Sequence, residues 1–197
     1  MQDFPRIPLA VLSTPIQKLE NISRLLNTNV YIKRDDLTGI GLGGNKVRKL
    51  EFLLADAKRK GAEVVFTTGG AQSNHAMLTA ACAKKLGMEP ILILKKRGVT
   101  ERKGNQLLEL DFTPTAENVH LIDMCGPGYA IPSPEGNAAI RMMAENEGLF
   151  LDPVYTGNAF AGLVKMAREG QFKPTDNVLY LYSGGAGGLF AIDIELD

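Results

Sequence analysis

The chain has 197 residues, and 22 lysine and arginine residues balance 22 acidic ones, so the formal net charge is zero. Hydrophobic residues make up 45% and charged residues 22%, which is ordinary for a globular protein of one domain or two small ones. The balance argues against a nucleic-acid-binding surface, no apolar run can span a bilayer, and two histidines disfavour a zinc site. Because the N-terminus has neither a basic start nor an apolar core, we expect a cytoplasmic protein without a signal peptide.

Short β runs alternate with helical stretches and glycines stand between them, which predicts an α/β fold with a parallel sheet. In chain order, the first half predicts a strand at 30–33, a glycine-rich turn at 39–44, a helix at 45–60, a strand of the buried type at 63–67, a helix at 73–86 and a strand at 91–94. In the helix at 45–60 one apolar face is predicted, with Val47, Leu50, Leu53, Leu54 and Ala57.

The second half continues the alternation. It predicts a helix at 101–110, a strand at 118–122, a tight turn at 126–129, helices at 133–147 and 158–168, and a strand at 178–182 before a glycine run at 184–188. The helix at 133–147 begins with a serine cap, a proline and an acid, a strong start signal. In the helix at 158–168 the inward residues are Phe160, Leu163, Val164 and Ala167.

Three junctions of strand, glycine and helix stand out, around Lys46, Ser73 and Gly184. In open α/β sheets, ligands bind beyond the carboxyl ends of the strands, and helix N-termini there suit anions. Neither a Walker motif nor the dinucleotide glycine pattern is present. The glycine run at 184–188 is therefore either a ligand loop or a plain tight turn.

Lys46 is the most informative of these residues, because it directly follows two glycines and an asparagine at a helix start. The helix dipole disfavours a positive charge at that end and so favours the neutral amine. A neutral lysine amine is a nucleophile that forms Schiff bases with carbonyl compounds.

Five segments carry a family resemblance in the same order: 31–36 (YIKRDD), 43–52 (GGNKVRKLEF), 72–75 (QSNH), 126–132 (GPGYAIP) and 152–157 (DPVYTG). They resemble motifs of the D-cysteine desulfhydrase and 1-aminocyclopropane-1-carboxylate (ACC) deaminase family. These are pyridoxal-phosphate enzymes of fold type II, the tryptophan-synthase-β type. The resemblance implies parallel sheets with flanking helices, a large cofactor-binding domain formed by 1–50 and 113–197, a small domain at 51–112, and a homodimer.

The resemblance also assigns roles. Lys46 would hold pyridoxal 5'-phosphate covalently and shuttle protons, while Ser183 would lie near the pyridine nitrogen. The implied sets are, for catalysis, Lys46, Ser73, Tyr129 and Tyr155; for the cofactor, Lys46, Asn45, Asn74, Ser183 and Gly184; and for an amino-acid substrate, Ser73, Asn74, His75, Tyr129 and Tyr155. Taken without the family, Ser73 is a helix cap, Tyr129 a turn residue and Tyr155 a core residue.

The implied reaction is α,β-elimination, which converts D-cysteine or a related D-amino acid to pyruvate, hydrogen sulfide and ammonia. Thr156 and Ser183 resemble the desulfhydrase branch, whereas the deaminase branch typically has Glu after the tyrosine that corresponds to Tyr155. ACC deaminase activity stays an alternative.

The chain also departs from the family. Up to about 108 it follows the first part of the family sequence, and from about 113 it follows the last part. The stretch of the family sequence between these parts is absent, with an apparent junction at 109–112. That stretch normally supplies central strands and the loop that grips the cofactor phosphate. We therefore expect weaker cofactor binding, open strand edges and association with another chain. Asn158 stands where the family has Lys, and Gly187 where it has Pro. The alternatives are a non-catalytic relative acting as an interaction module or inactive remnant, and a generic phosphate- or nucleotide-binding domain.

Overall fold

The structure is a computed structural model, and it describes residues 4–70, 73–95, 128, 131–185 and 189. The predicted helix at 101–110, the predicted strand at 118–122 and the site residue Tyr129 lie outside the described residues. The described elements are β1 (Ile16–Lys18), α1 (Glu20–Leu26), β2 (Asn29–Arg34), a 3-10 turn (Asp35–Leu37), α2 (Lys46–Arg59), β3 (Val64–Gly70), α3 (Asn74–Lys85), β4 (Glu89–Lys95), α4 (Pro134–Glu147), α5 (Thr156–Arg168) and β5 (Asn177–Tyr182).

The described strands form two sheets. In the first, the order is β1-β2-β5, with β2 parallel to β5 and antiparallel to β1. In the second, β3 and β4 pair in parallel. Parallel pairing through helical connections confirms the predicted α/β class. Neither β1 nor α1 was predicted, because the three side chains of β1 are all exposed and α1 has only seven residues and no side-chain cap.

Each sheet has its own hydrophobic core. Helices α1, α4 and α5 pack together on the first sheet around the fully buried side chains of Ile22, Ile32 and Phe160. Helix α3 packs on the second sheet and α2 packs against α3, with Val47 and Leu78 in the core between the two helices. Among the described residues, no helix is long and apolar enough to cross a membrane.

The predicted helices agree closely with the observed ones. Ser73 and Ser133 cap α3 and α4 with their side chains as predicted, and α5 begins two residues earlier than predicted. On α2 the predicted face is confirmed at Val47, Leu50 and Leu54 but is wrong at Leu53, which is exposed.

The strand predicted at 63–67 is confirmed, since β3 spans Val64–Gly70, but its predicted burial is wrong, because Phe66 on β3 is 65% exposed. Its parallel neighbour β4 exposes Ile93 on the same sheet. On β5 the side chains alternate, with Tyr180 and Tyr182 buried but Leu179 and Leu181 exposed. Within the described part of the chain, each sheet therefore has helices on one face only.

Candidate active site

The backbone before Lys46 is held by glycines and one threonine. Gly43 has a φ of +76°, and a Cβ atom there would lie 1.6 Å from the carbonyl oxygen of Asp36. The hydroxyl of Thr38, which is fully buried, accepts a hydrogen bond from the Gly44 amide at 2.9 Å and donates one to the Gly44 carbonyl at 3.1 Å. Both polar groups of Gly44 are thus satisfied by one side chain, which fixes the start of α2.

The three glycine junctions predicted from the sequence meet at this loop. The Asn45 amide donates to the carbonyl oxygen of Ser183, at the end of β5, across 3.1 Å. The Asn74 side chain, at the start of α3, donates to the carbonyl oxygen of Gly43 across 3.3 Å. A Cβ atom on Gly184 would lie 2.7 Å from the Cα atom of Gly44, so the two loops are in contact.

Lys46 is the first residue of α2 and is half-buried. Its amine donates a hydrogen bond to Oδ1 of Asn45 at 2.8 Å. Burial lowers the pKa of the Lys46 amine, and the positive charge of Lys49 lowers it further. The neutral, nucleophilic amine is therefore more populated than in an exposed lysine.

His75 is half-buried in the first turn of α3. Burial lowers the pKa of its imidazole, and the positive charges of Lys49 and Lys46 lower it further. This coupling places the imidazole in the electrostatic field of the two lysines. The two lysine charges and the N-terminus of α3 leave the region suited to an anionic group.

Ser73 occupies the cap position that the sequence predicts. Its hydroxyl accepts a hydrogen bond from the Ala76 amide at 3.2 Å. A Cβ atom on Gly69 would lie 2.5 Å from the Ser73 hydroxyl, so that glycine at the end of β3 lets the cap approach. The cap is thus observed, while a role of Ser73 toward a substrate stays a prediction.

Tyr155 directly precedes α5, and its side chain is 60% exposed. Its interpretation as a core residue is therefore wrong. The backbone amide of Tyr155 donates to Oδ1 of Asp152 at 2.8 Å. Asp152 is itself buried and lies 3.1 Å from the position of a Cβ atom on Gly185, in the loop after β5. Through Asp152, the Tyr155 loop is connected to the loop that contacts the Lys46 junction.

Sequence reasoning missed Thr38 and Asp152 as site residues. Thr38 gives no signal, because one threonine before a glycine-rich turn is ordinary. Asp152 does give one, since an aspartate before a proline favours a turn in which its carboxylate accepts a hydrogen bond from the backbone two residues on, as the Val154 amide shows. A groove of about 540 Å³ between α4 and α5 is lined by none of the predicted site residues that the structure describes.

Comparison with known proteins identifies the family. The family described as pyridoxal-phosphate dependent enzymes matches residues 7–106 and 102–184, which is most of the chain. The chain belongs to this family. Two separate matches fit a chain that is trimmed in the middle. The assignment confirms the predicted family and fold type and gives pyridoxal phosphate as the family's cofactor.

Similar proteins also carry the names of the predicted family. A candidate ACC deaminase of Pyrococcus horikoshii is 60% identical over 106 residues, which are 54% of this chain and 32% of that protein. A candidate ACC deaminase of Pyrococcus furiosus is 52% identical over 109 residues, 55% of this chain and 32% of the relative. The chain thus spans about a third of these relatives' length. The crystal structure of an ACC deaminase homologue superposes with a TM-score of 0.75 at 30% identity, covering 94% of this chain and 93% of its own.

The described residues fit the reactive part of the family's cofactor. The Lys46 amine has a lowered pKa, and the Asn74 amide and the half-buried Ser183 stand at the same junction. The contact between the loops of Gly44 and Gly184 has no room for a larger side chain on either glycine. An amine, an amide and a hydroxyl at one junction therefore suit a molecule that has an aldehyde and a polar ring, as pyridoxal phosphate does.

Proposed function

We propose that this chain is a pyridoxal-phosphate-dependent lyase that acts on D-cysteine or a related D-amino acid by α,β-elimination. The observation that carries the proposal is the half-buried Lys46 amine, with its lowered pKa, at the meeting point of three glycine junctions. The carbonyl-directed chemistry of a neutral lysine and the cofactor of the family agree at this residue.

When bound, pyridoxal phosphate supplies an electron sink for the negative charge at the substrate α-carbon. In the proposal, Lys46 would hold the cofactor covalently, and its amine, once displaced by the amine of the substrate, would accept the α-proton. Asn74 would orient the pyridoxal ring, and the Ser183 hydroxyl would lie near the ring nitrogen. Ser73 and His75 contact the substrate carboxylate near the N-terminus of α3, where free amide groups favour anions.

Tyr155 completes the proposed site by assisting departure of the β-substituent. The exposed side chain on a firmly held backbone supports this role, because the hydroxyl can approach a ligand while its Cα atom stays fixed. Tyr129, which lies outside the described residues, is proposed as its partner.

The choice of the desulfhydrase branch over the deaminase branch rests on Thr156. Its side chain is buried, and its hydroxyl accepts a hydrogen bond from the Asp152 amide at 2.8 Å and donates one to the Asp152 carboxylate. A glutamate here, as in the deaminase branch, would set a second carboxylate against Asp152. Thr156 therefore favours the desulfhydrase branch through the shape of the loop, whereas the names of the relatives favour ACC.

A second candidate function is an interaction module or inactive remnant. The exposed apolar faces at Phe66 and Leu179 favour it, and so does a chain that spans about a third of its curated relatives. Both candidates include a homodimer, since a second copy would cover apolar surface. The division into a large domain of 1–50 with 113–197 and a small one of 51–112, and the cytoplasmic location, belong to the proposal.

Absorption spectroscopy separates the candidates. The purified chain is incubated with pyridoxal phosphate, and D-cysteine or ACC is then added. The lyase proposal expects a visible band that Lys46→Ala abolishes and Lys60→Ala keeps, because Lys60 lies at the far end of α2. It also expects D-cysteine to release pyruvate and ACC to release no 2-oxobutyrate, the four-carbon product that ring opening and loss of ammonia would give. A band that is unchanged in the Lys46→Ala variant, or the absence of any band, would favour the interaction module.

A further inference from the structure

Asp152 is the most heavily bonded carboxylate near the proposed site. It is 3% exposed, and its Oδ1 atom accepts hydrogen bonds from the amides of Val154 at 2.9 Å and Tyr155 at 2.8 Å. Its Oδ2 atom accepts from the amide of Thr156 at 3.0 Å and from the Thr156 hydroxyl. All four donors belong to three consecutive residues, so the carboxylate fixes the backbone on which Tyr155 stands.

The same carboxylate contacts the loop that follows β5. A Cβ atom on Gly185 would lie 3.1 Å from Oδ2 and 3.3 Å from Cγ of Asp152, and Gly185 has a φ of +104°. Two residues earlier, the carbonyl oxygen of Ser183 holds the Asn45 amide. Asp152 therefore lies between the Tyr155 loop and the loop that holds the residue before Lys46.

The strand β5 ties the two loops together independently. The hydroxyl of Tyr180 donates to the carbonyl oxygen of Thr156 at 2.9 Å, and that of Tyr182 donates to the carbonyl oxygen of Phe150 at 2.6 Å. These bonds keep residues 150–156 alongside β5. The contact between Asp152 and Gly185 adds a direct link between residues 150–156 and the loop after β5.

We infer that Asp152 is a positioning residue that sets the Tyr155 loop and the Ser183–Gly185 loop in one fixed relation. The inference rests on the proposed function insofar as Tyr155 acts on the substrate. The carboxylate is suited to this because both of its oxygens accept only. An amide in its place would turn a donor toward the Thr156 amide or toward the amides of Val154 and Tyr155.

The variant Asp152→Asn tests the inference, with Asp176→Asn as the matched control. Asp176 accepts a hydrogen bond from the Lys173 amide at 2.9 Å in an exposed turn, so its replacement makes the same chemical change elsewhere. Hydrogen exchange is measured first, on the protein without cofactor. Asp152→Asn is expected to speed exchange at both 153–157 and 183–185 but not in α4. Faster exchange at 153–157 alone would overturn the inference, because Asp152 would then only cap α5.

The second readout follows the D-cysteine-induced change in the visible band of the protein loaded with pyridoxal phosphate. Asp152→Asn is expected to keep the band and to slow the change about tenfold to a hundredfold, as expected for a misplaced group. In a Tyr155→Phe background the same change is expected to cause a smaller slowing than in the unmodified chain, because the part that acts through the Tyr155 hydroxyl is already lost. The inference would be overturned if Asp152→Asn slowed the change by the same factor in both backgrounds, so that the effects of the two substitutions multiplied. If the unmodified chain shows no Lys46-dependent band, the proposed function fails, and the exchange experiment alone decides the role of Asp152.

Discussion

The Asn45 amide and the Ser183 carbonyl oxygen form a hydrogen bond of 3.1 Å that joins the loop before α2 to the loop after β5. The two residues lie far apart in the sequence. Their contact brings Lys46 and Ser183, the two ends of the predicted cofactor site, to the same edge of the β1-β2-β5 sheet, because β2 and β5 are parallel neighbours.

Gly43→Ala is expected to unfold the protein far more easily than Gly61→Ala. The two glycines have nearly the same φ, +76° and +75°, so a side chain adds similar backbone strain of about 1–2 kcal/mol at each. Only at Gly43 would the new Cβ also overlap a backbone oxygen, at 1.6 Å, whereas nothing lies within 4 Å at Gly61. Urea denaturation measures the difference, and equal losses for both variants would contradict the packing of this loop.

Thr38→Val is expected to lower the free energy of unfolding by about 1–3 kcal/mol, the cost of leaving a buried polar group unsatisfied. The Thr38 hydroxyl is the observed partner of both backbone groups of Gly44. Thr38→Ser keeps the hydroxyl and removes the methyl group, so the two variants separate the contribution of the hydroxyl from that of the methyl. Thermal denaturation of the two variants gives the comparison; a valine variant as stable as the serine variant would show that the hydroxyl contributes little.

Lys46 is expected to react with an acylating reagent at lower pH than an exposed lysine such as Lys84, because burial lowers its pKa below 10.5. Mass spectrometry of peptides labelled across a pH series follows both residues in one sample. A half-reaction pH for Lys46 at or above 10.5 would refute the lowered pKa.

The lowered pKa of Lys46 also predicts how the free energy of unfolding depends on pH. Because the folded state binds the Lys46 proton less tightly than the unfolded state, the charged amine destabilises the fold below the folded pKa. That cost disappears as the pH rises from the folded pKa toward 10.5. Lys46→Met is therefore expected to stabilise the protein at neutral pH, with a gain that shrinks as pH rises. Urea denaturation at several pH values checks this, and a gain that grows with pH would refute it.

Replacing Leu179 and Leu181 together by threonine is expected to weaken self-association. The two side chains form an exposed apolar row on β5, and threonine keeps the β propensity while removing apolar surface. Leu25→Thr is the control, since Leu25 is similarly exposed on α1. Analytical ultracentrifugation over a range of concentrations measures the effect. A control variant that dissociates as readily would place the contact elsewhere.

The helices were predictable because their signals are local. Ser133 followed by a proline and an acid, and the apolar spacing of Val47, Leu50 and Leu54, act within a few residues of the chain. The same holds for the three glycine junctions, since a strand, a glycine turn and a helix start follow one another directly. The family resemblance also needed only short segments, and the family match confirmed it.

Burial and long-range contacts were decided by the tertiary structure alone. Phe66 and Leu53 look like core residues in the sequence, yet both are exposed. Phe66 is exposed because the described helices cover only one face of its two-stranded sheet. The roles of Thr38 and Asp152 depend on Gly44 and Gly185, which share no sequence pattern with them. The sequence by itself determined most of the elements and the family, and it singled out Lys46 as the candidate reactive amine. Which groups surround that amine was decided only by folding, because hydrogen bonds and burial depend on residues that the chain brings together from far apart.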